Sequence, residues 1–195
     1  MAVIYETAAT LNGFLATEDD SLDWLFQIPG EQPDISDFMG SAAALVMGST
    51  TYEWVLAVED LVAHPENWAS SMGRKPVFVF SSRDQPVPAG ADVRILEGDV
   101  GRRLSEIRAA AGDGDLWMMG GGGLAAQFLA ADALDRIAIT VAPVTLARGK
   151  PLFSGDVFWD RLRLRSAEKV GEWARLVYDI TPGEQEMSRS ATVSS

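Results

Sequence analysis

Apolar and polar positions along the chain divide it into short strands alternating with helices. Val3–Thr10 is apolar or small throughout and reads as a first strand, followed by a turn and re-entry over residues 11–16. A helix is expected from Asp34 through Phe38 and Met39, with Asp34 and Asp37 in a first turn that favours carboxylates. Residues 43–48 (AALVMG) form an unbroken apolar run, as expected of a strand buried on both faces. Ser49, Thr50 and Thr51 then cap a helix over residues 52–58. Residues 58–75 carry no period and read as a long irregular connection. Strands are expected at residues 76–81 and Val93–Leu96, and Leu104, Ile107 and Ala111 space a helix from about Gly101.

The most informative stretch is LWMMGGGGLAAQFL, residues 116–129. A short apolar run enters four glycines, Gly120, Gly121, Gly122 and Gly123, and Leu124, Ala125, Phe128 and Leu129 resume at helical spacing. A strand-to-helix junction without Cβ atoms leaves helix N–H groups facing outward, a favourable place for a phosphate. A flexible turn is the plain alternative. Neither the Walker loop nor GxGxxG matches, since Leu-Ala-Ala follows Gly123.

Strand character returns at residues 136–141, and residues 161–170 and Trp173–Ile180 alternate with period two as a closing antiparallel hairpin. The Arg row of this hairpin reads as its wet face. Residues 183–195 are polar and patternless, a disordered tail behind a single domain of residues 1–182. Strands alternating with helices imply an α/β fold with a mostly parallel central sheet and helices on both faces. Ligands of such sheets sit beyond the carboxyl ends of the strands. Gly48-Ser49-Thr50, Ser81-Ser82-Arg83 and the glycine tetrad all fall there, which points to an extended ligand with several phosphates, such as a dinucleotide.

Composition narrows the chemistry. Of 195 residues, 47% are apolar and 23% charged, as in a soluble globular protein. With no cysteine, disulfides and thiolate metal sites are excluded, a reducing, cytoplasmic setting is expected, and a single histidine, His64, leaves little for a zinc site or a catalytic triad. No metal is expected. A net charge of −12 argues against nucleic acid as a partner, and no apolar run is long enough to span a membrane. No signal peptide is read at the start. Asp23-Trp24-Leu25-Phe26 is read either as a loop anchored by aromatic burial or as a pocket wall.

Several motifs together resemble the dihydrofolate reductase superfamily, most closely the branch with the C-terminal reductase domain of the bacterial riboflavin-pathway deaminase/reductase. They are Thr10-Leu11-Asn12-Gly13-Phe14-Leu15-Ala16, Leu22-Asp23-Trp24-Leu25, Val46 to Glu53, Pro76 to Arg83, Met119 to Phe128, and Val141 through Phe153. The resemblance implies a dihydrofolate reductase-like three-layer fold, bound NADPH and hydride transfer to a small heterocycle akin to 5-amino-6-(5-phosphoribosylamino)uracil. It implies that Ala8 and Leu15 meet the nicotinamide through backbone groups. It assigns Ser49, Thr50 and Thr51 to the pyrophosphate, with Gly48 among the cofactor-binding residues, and Ser81, Ser82 and Arg83 to the adenosine end, with Arg83 on the 2′-phosphate. The tetrad and Leu124 would offer bare backbone to the cofactor. Three departures stand out. Asn12 replaces the usual Asp, Gly48-Ser49 replaces a frequent Gly-Arg, and Pro33-Asp34 only resembles the helix carrying the pterin-binding carboxylate of true dihydrofolate reductases. The missing cysteines imply a reductase domain without the zinc-binding deaminase, and family relatives imply a homodimer. Asp23, Asp34 or a bound water is left as the proton source, and a true dihydrofolate reductase or a non-catalytic NADP(H)-binding module as alternatives.

Overall fold

The structure is a computed structural model that describes residues 1–182. The disordered tail expected over residues 183–195 lies outside the described residues. In chain order the elements are β1 (Val3–Thr10), β2 (Phe14–Ala16), α1 (Asp23–Phe26), α2 (Ser36–Ser41), β3 (Ala44–Gly48), α3 (Ser49–Val58), a 3-10 turn (Pro65–Asn67), α4 (Trp68–Ser71), β4 (Val77–Phe80) and β5 (Val93–Leu96). Then come α5 (Val100–Ala111), β6 (Leu116–Gly120), α6 (Gly122–Ala130), β7 (Arg136–Ala142), β8 (Lys150–Pro151), β9 (Leu162–Val170) and β10 (Trp173–Ile180).

Eight strands form one sheet in the order β5-β4-β3-β6-β1-β7-β10-β9. The first six run parallel, and β10 and β9 add antiparallel at one side. The period of two divides each central strand between two cores. Tyr5, Val46, Phe78 and Met118 pack with Leu124 and Phe128 of α6 and Ile107 of α5. Leu45, Met47, Val79 and Trp117 pack on the other face with Tyr52, Val55 and Leu56 of α3 and Trp68 of α4. Both faces are therefore apolar, which is why these strands read as continuous runs.

Some local expectations are corrected. Residues 23–26 form a helical turn rather than a loop, with Trp24 buried against Ile28, Ala142 and Trp173. Asp34 precedes α2, and its carboxylate accepts the Ser36 amide at 2.8 Å. Such a local bond ends the extended chain just before the helix rather than inside it. Ser49, Thr50 and Thr51 are the first turn of α3 and not its cap. Gly48 takes the extended N-cap conformation (φ −82°, ψ 165°), and no side chain caps the helix. The irregular connection contains the 3-10 turn and α4. The re-entry after β1 pairs β2 with β8 in a second, two-stranded sheet.

Asn12 explains one departure from the family pattern. Its Nδ2 donates to the Leu146 carbonyl at 2.7 Å, and its Oδ1 accepts the Leu146 amide at 3.2 Å. An aspartate could accept but not donate there. This two-point contact ties the β1–β2 turn to the segment after β7.

Candidate functional site

A cleft of about 620 Å³ opens where β6, β3 and β1 end, floored by Glu6, Ala8, Trp117, Met119 and Thr140 of the sheet. Its walls are Leu22, Trp24, Leu25 and Phe26 at α1, Pro33 and Ile35 before α2, Thr50, Thr51 and Trp54 of α3, and Leu15, Lys150 and Pro151 of the small sheet.

The glycine tetrad forms one end. Gly120 closes β6 with φ +155°, a conformation that side chains rarely adopt. Gly121 is the N-cap of α6. A Cβ on Gly122 would stand 2.3 Å from the Pro151 carbonyl oxygen and 2.8 Å from that of Leu152. At Gly121 and Gly123, by contrast, a Cβ would meet nothing within 4 Å. Two of the four glycines are thus required by the chain's own geometry, and the other two leave bare backbone beside open space. The amides of Leu124 and Ala125 donate to the Gly121 carbonyl, both at 3.0 Å. Those of Gly122 and Gly123 precede the first intrahelical donors, so they are free for a ligand. Leu124 turns its side chain into the core and does not line the cleft.

The junction after β3 lies alongside. A Cβ on Gly48 would be 3.9 Å from the Gly121 nitrogen. Thr50 and Thr51 line the cleft, whereas Gly48 and Ser49 do not. Two helix N-termini, those of α3 and α6, thus stand side by side, and their dipoles favour an anion. The third junction is one strand further out. Ser81 is buried, donating its hydroxyl to the Arg83 carbonyl at 2.7 Å and accepting the Arg83 amide at 3.0 Å. The Arg83 guanidinium pairs with Glu53 at 2.7 Å, and Gln85 donates to the same carboxylate oxygen at 2.8 Å. Ser81, Ser82 and Arg83 stand outside the cleft lining.

The part of the cleft around Glu6 is made of side chains. Glu6, in the middle of β1, is only 3% exposed. Both of its oxygens accept from Arg175 of β10, at 2.5 and 2.7 Å. Burial raises the Glu6 carboxyl above its usual value, with the two Arg175 bonds and the Arg175 charge opposing. Trp117 donates its indole N–H to the Glu6 carbonyl at 3.0 Å. The Ala8, Thr140 and Arg175 positions form one row across β1, β7 and β10. Trp24 and Trp173, both buried, have indole N–H groups with no protein acceptor among the described residues. Lys150, near Leu15, lies 3.4 Å from Asp20.

Of the sequence-derived candidates, Ala8, Leu15, Thr50, Thr51 and all four tetrad glycines share this cleft. Asp23 and Asp34 are exposed and stand outside its lining, although their neighbours Leu22, Trp24, Pro33 and Ile35 form part of it. At Asp34, the bonds from Ser36 hold the carboxyl below its usual value. Glu6 was not singled out in the sequence. The available signal was a lone carboxylate inside the apolar strand VIYETAAT.

Comparison with known proteins shows the family and the fold. The chain is 30% identical over 173 residues to the uncharacterized protein YwjB of Bacillus subtilis (strain 168), covering 88% of this chain and 93% of that one. It superimposes on a putative riboflavin biosynthesis protein from Shewanella sp. PV-4 with a TM-score of 0.74 and 27% identity, over 93% of this chain and 99% of the other. It also shares its fold with dihydrofolate reductase from Enterococcus faecalis, crystallised with NADP(H), at a TM-score of 0.55 and 17% identity over 92% and 96% of the two chains. The model of the RibD C-terminal domain matches residues 1–175, and the chain belongs to that family.

Proposed function

We propose that the protein is an NADPH-dependent reductase that delivers a hydride to a small heterocycle of the pyrimidine or pterin type. The observation that carries this reading is the pair of helix N-termini, α3 and α6, abutting at Gly48 and Gly121 beside a large cleft. The residues fit the cofactor. Free amides at Gly122 and Gly123 and hydroxyls at Thr50 and Thr51 suit a pyrophosphate, and the open sides of Gly121 and Gly123 give it room. Ala8 and Leu15 line the cleft where a nicotinamide would meet backbone groups. Ser81, Ser82 and Arg83 are offered to the adenosine end, with Arg83 able to reach a 2′-phosphate once it leaves Glu53.

When bound, NADPH supplies the hydride, and the protein supplies orientation and a dry, shaped site. Trp24, Trp54, Trp117 and Trp173 keep one side of the cleft apolar and limit water there. With Asp23 and Asp34 outside the lining, the proton reaches the substrate through water in this reading. Asp23→Asn is then expected to keep most of its turnover.

Titration of the protein with NADPH and NADH, followed by quenching of the cleft tryptophans, tests the reading. Saturable binding and consumption of NADPH with a pyrimidine or pterin acceptor is the expected result. No binding of either nucleotide at millimolar concentration would overturn it.

A further inference from the structure

We infer that the end of the cleft facing Glu6 takes a flat heterocycle with N–H donors and no phosphate, and that Glu6, held by Arg175, is the acceptor that reads it. The inference rests on the reductase reading and narrows its substrate class. Among the described residues lining the cleft, the acidic and basic side chains are Glu6, Asp20 and Lys150. Lys150 lies 3.4 Å from Asp20, and Arg175 is bound to both oxygens of Glu6. Lys150 belongs to β8, whose Pro151 lies against Gly122, so a phosphate beside Glu6 would meet a buried carboxylate whose one cation, Arg175, is already bound to it. The phosphate-binding features of the cleft, helix N-termini and threonine hydroxyls, are gathered at the tetrad end.

A ring N–H meets the opposite situation. Each carboxylate oxygen of Glu6 accepts one Arg175 N–H and keeps a second lone pair. Arg175 positions the carboxylate, and its bonds and charge oppose the rise that burial imposes on it. Trp24, Trp54 and Trp173 line the same cleft, and the exposed Phe26 lies nearly parallel to Trp54, with centroids 6.3 Å apart. Such surfaces favour planar ligands. A 5-phosphoribosyl group has neither a cation nor a helix terminus to hold it there. This sets the protein apart from a reductase whose substrate carries that group.

The test compares three ligands that share one ring: 5,6-diaminouracil, its 6-ribosylamino derivative, and the 5-phosphate of that riboside. Binding is read by tryptophan fluorescence, with and without saturating NADPH. The expected result is that the ring or the riboside binds at least ~10-fold more tightly than the phosphate. Removing both charges together in Glu6→Gln/Arg175→Gln keeps a hydrogen-bonded pair and leaves no lone buried ion. This variant is expected to lose ~10-fold in ring affinity while NADPH affinity stays within about twofold. Equal or tighter binding of the phosphate, no binding of any of the three, or unchanged ring affinity in the double variant would overturn the inference. The three-ligand comparison uses the unaltered protein, so it decides even where the variant fails to fold. Failure of NADPH to bind refutes the reductase reading separately, because ring binding is also measured without it.

Discussion

The two ends of the cleft are built from different materials. At the tetrad end, the contacts offered to a ligand are backbone amides at the starts of α3 and α6, and the side chains are mostly missing by design of the sequence. At the Glu6 end, they are a buried carboxylate, a guanidinium and several indoles from four separate strands and helices. The first end is local: strand, glycine and helix follow one another in sequence. The second is assembled across 169 residues between Glu6 and Arg175. A backbone cradle should tolerate loss of distant side chains and respond to added methyl groups. A side-chain pair should respond in the reverse way.

The largest expected effect breaks the side-chain end. Arg175→Ala leaves the Glu6 carboxylate buried and unpaired, which costs about 3–5 kcal/mol. Chemical denaturation measures it, and a loss below about 1 kcal/mol would mean that the pair is not structural.

Next comes a contrast within the tetrad. Gly122→Ala places a methyl against the Pro151 and Leu152 carbonyls and is expected to cost about 1–3 kcal/mol or more. Gly123→Ala meets nothing and sits in the first turn of α6, so the fold should gain up to about 1 kcal/mol. The added methyl nevertheless fills the cradle, and NADPH affinity is expected to fall by roughly tenfold. Calorimetry and nucleotide titration on both variants check the pair of signs. Equal NADPH affinity in Gly123→Ala would remove the tetrad from the cofactor site.

The pH dependence of stability sharpens the same contrast. Burial raises the Glu6 carboxyl, so the folded protein holds that proton more tightly than the unfolded chain. The stability from this group is complete below the ordinary glutamate range and is lost as pH rises through the raised value. Glu6→Gln/Arg175→Gln removes this loss. Its melting temperature, relative to the parent, should therefore climb as pH rises above the ordinary glutamate range. A flat or falling difference would contradict the assignment.

The smallest expected effect lies at the outer junction. Arg83 is 65% exposed and its pair with Glu53 is worth about 0–1 kcal/mol. Glu53→Gln frees the guanidinium and should raise NADPH preference over NADH by a few-fold. No change in the ratio of the two dissociation constants would detach Arg83 from the 2′-phosphate.

Much of the fold was legible because the central strands face an apolar core on both sides and so appear as continuous runs. Val77–Phe80, Leu116–Gly120 and Ala44–Gly48 are examples, each ending where glycine or a hydroxyl follows. The helical turn at Asp23–Phe26 and the two-residue β8 were not legible, since elements this short hold too few positions to display a period. Asp23 and Asp34 drew attention by their neighbours, but exposure is a property of packing, and packing left both outside the cleft lining.

The order of residues alone determined the strand–glycine–helix junctions, because backbone donors at a helix start depend only on what is adjacent in the chain. Tertiary structure alone decided that Glu6 would meet Arg175. That pairing requires β7 to lie between β1 and β10 in the sheet. Neither strand carries a mark of it: a single Glu in an apolar strand and one Arg in an alternating row become an ion pair only when the sheet excludes water from both.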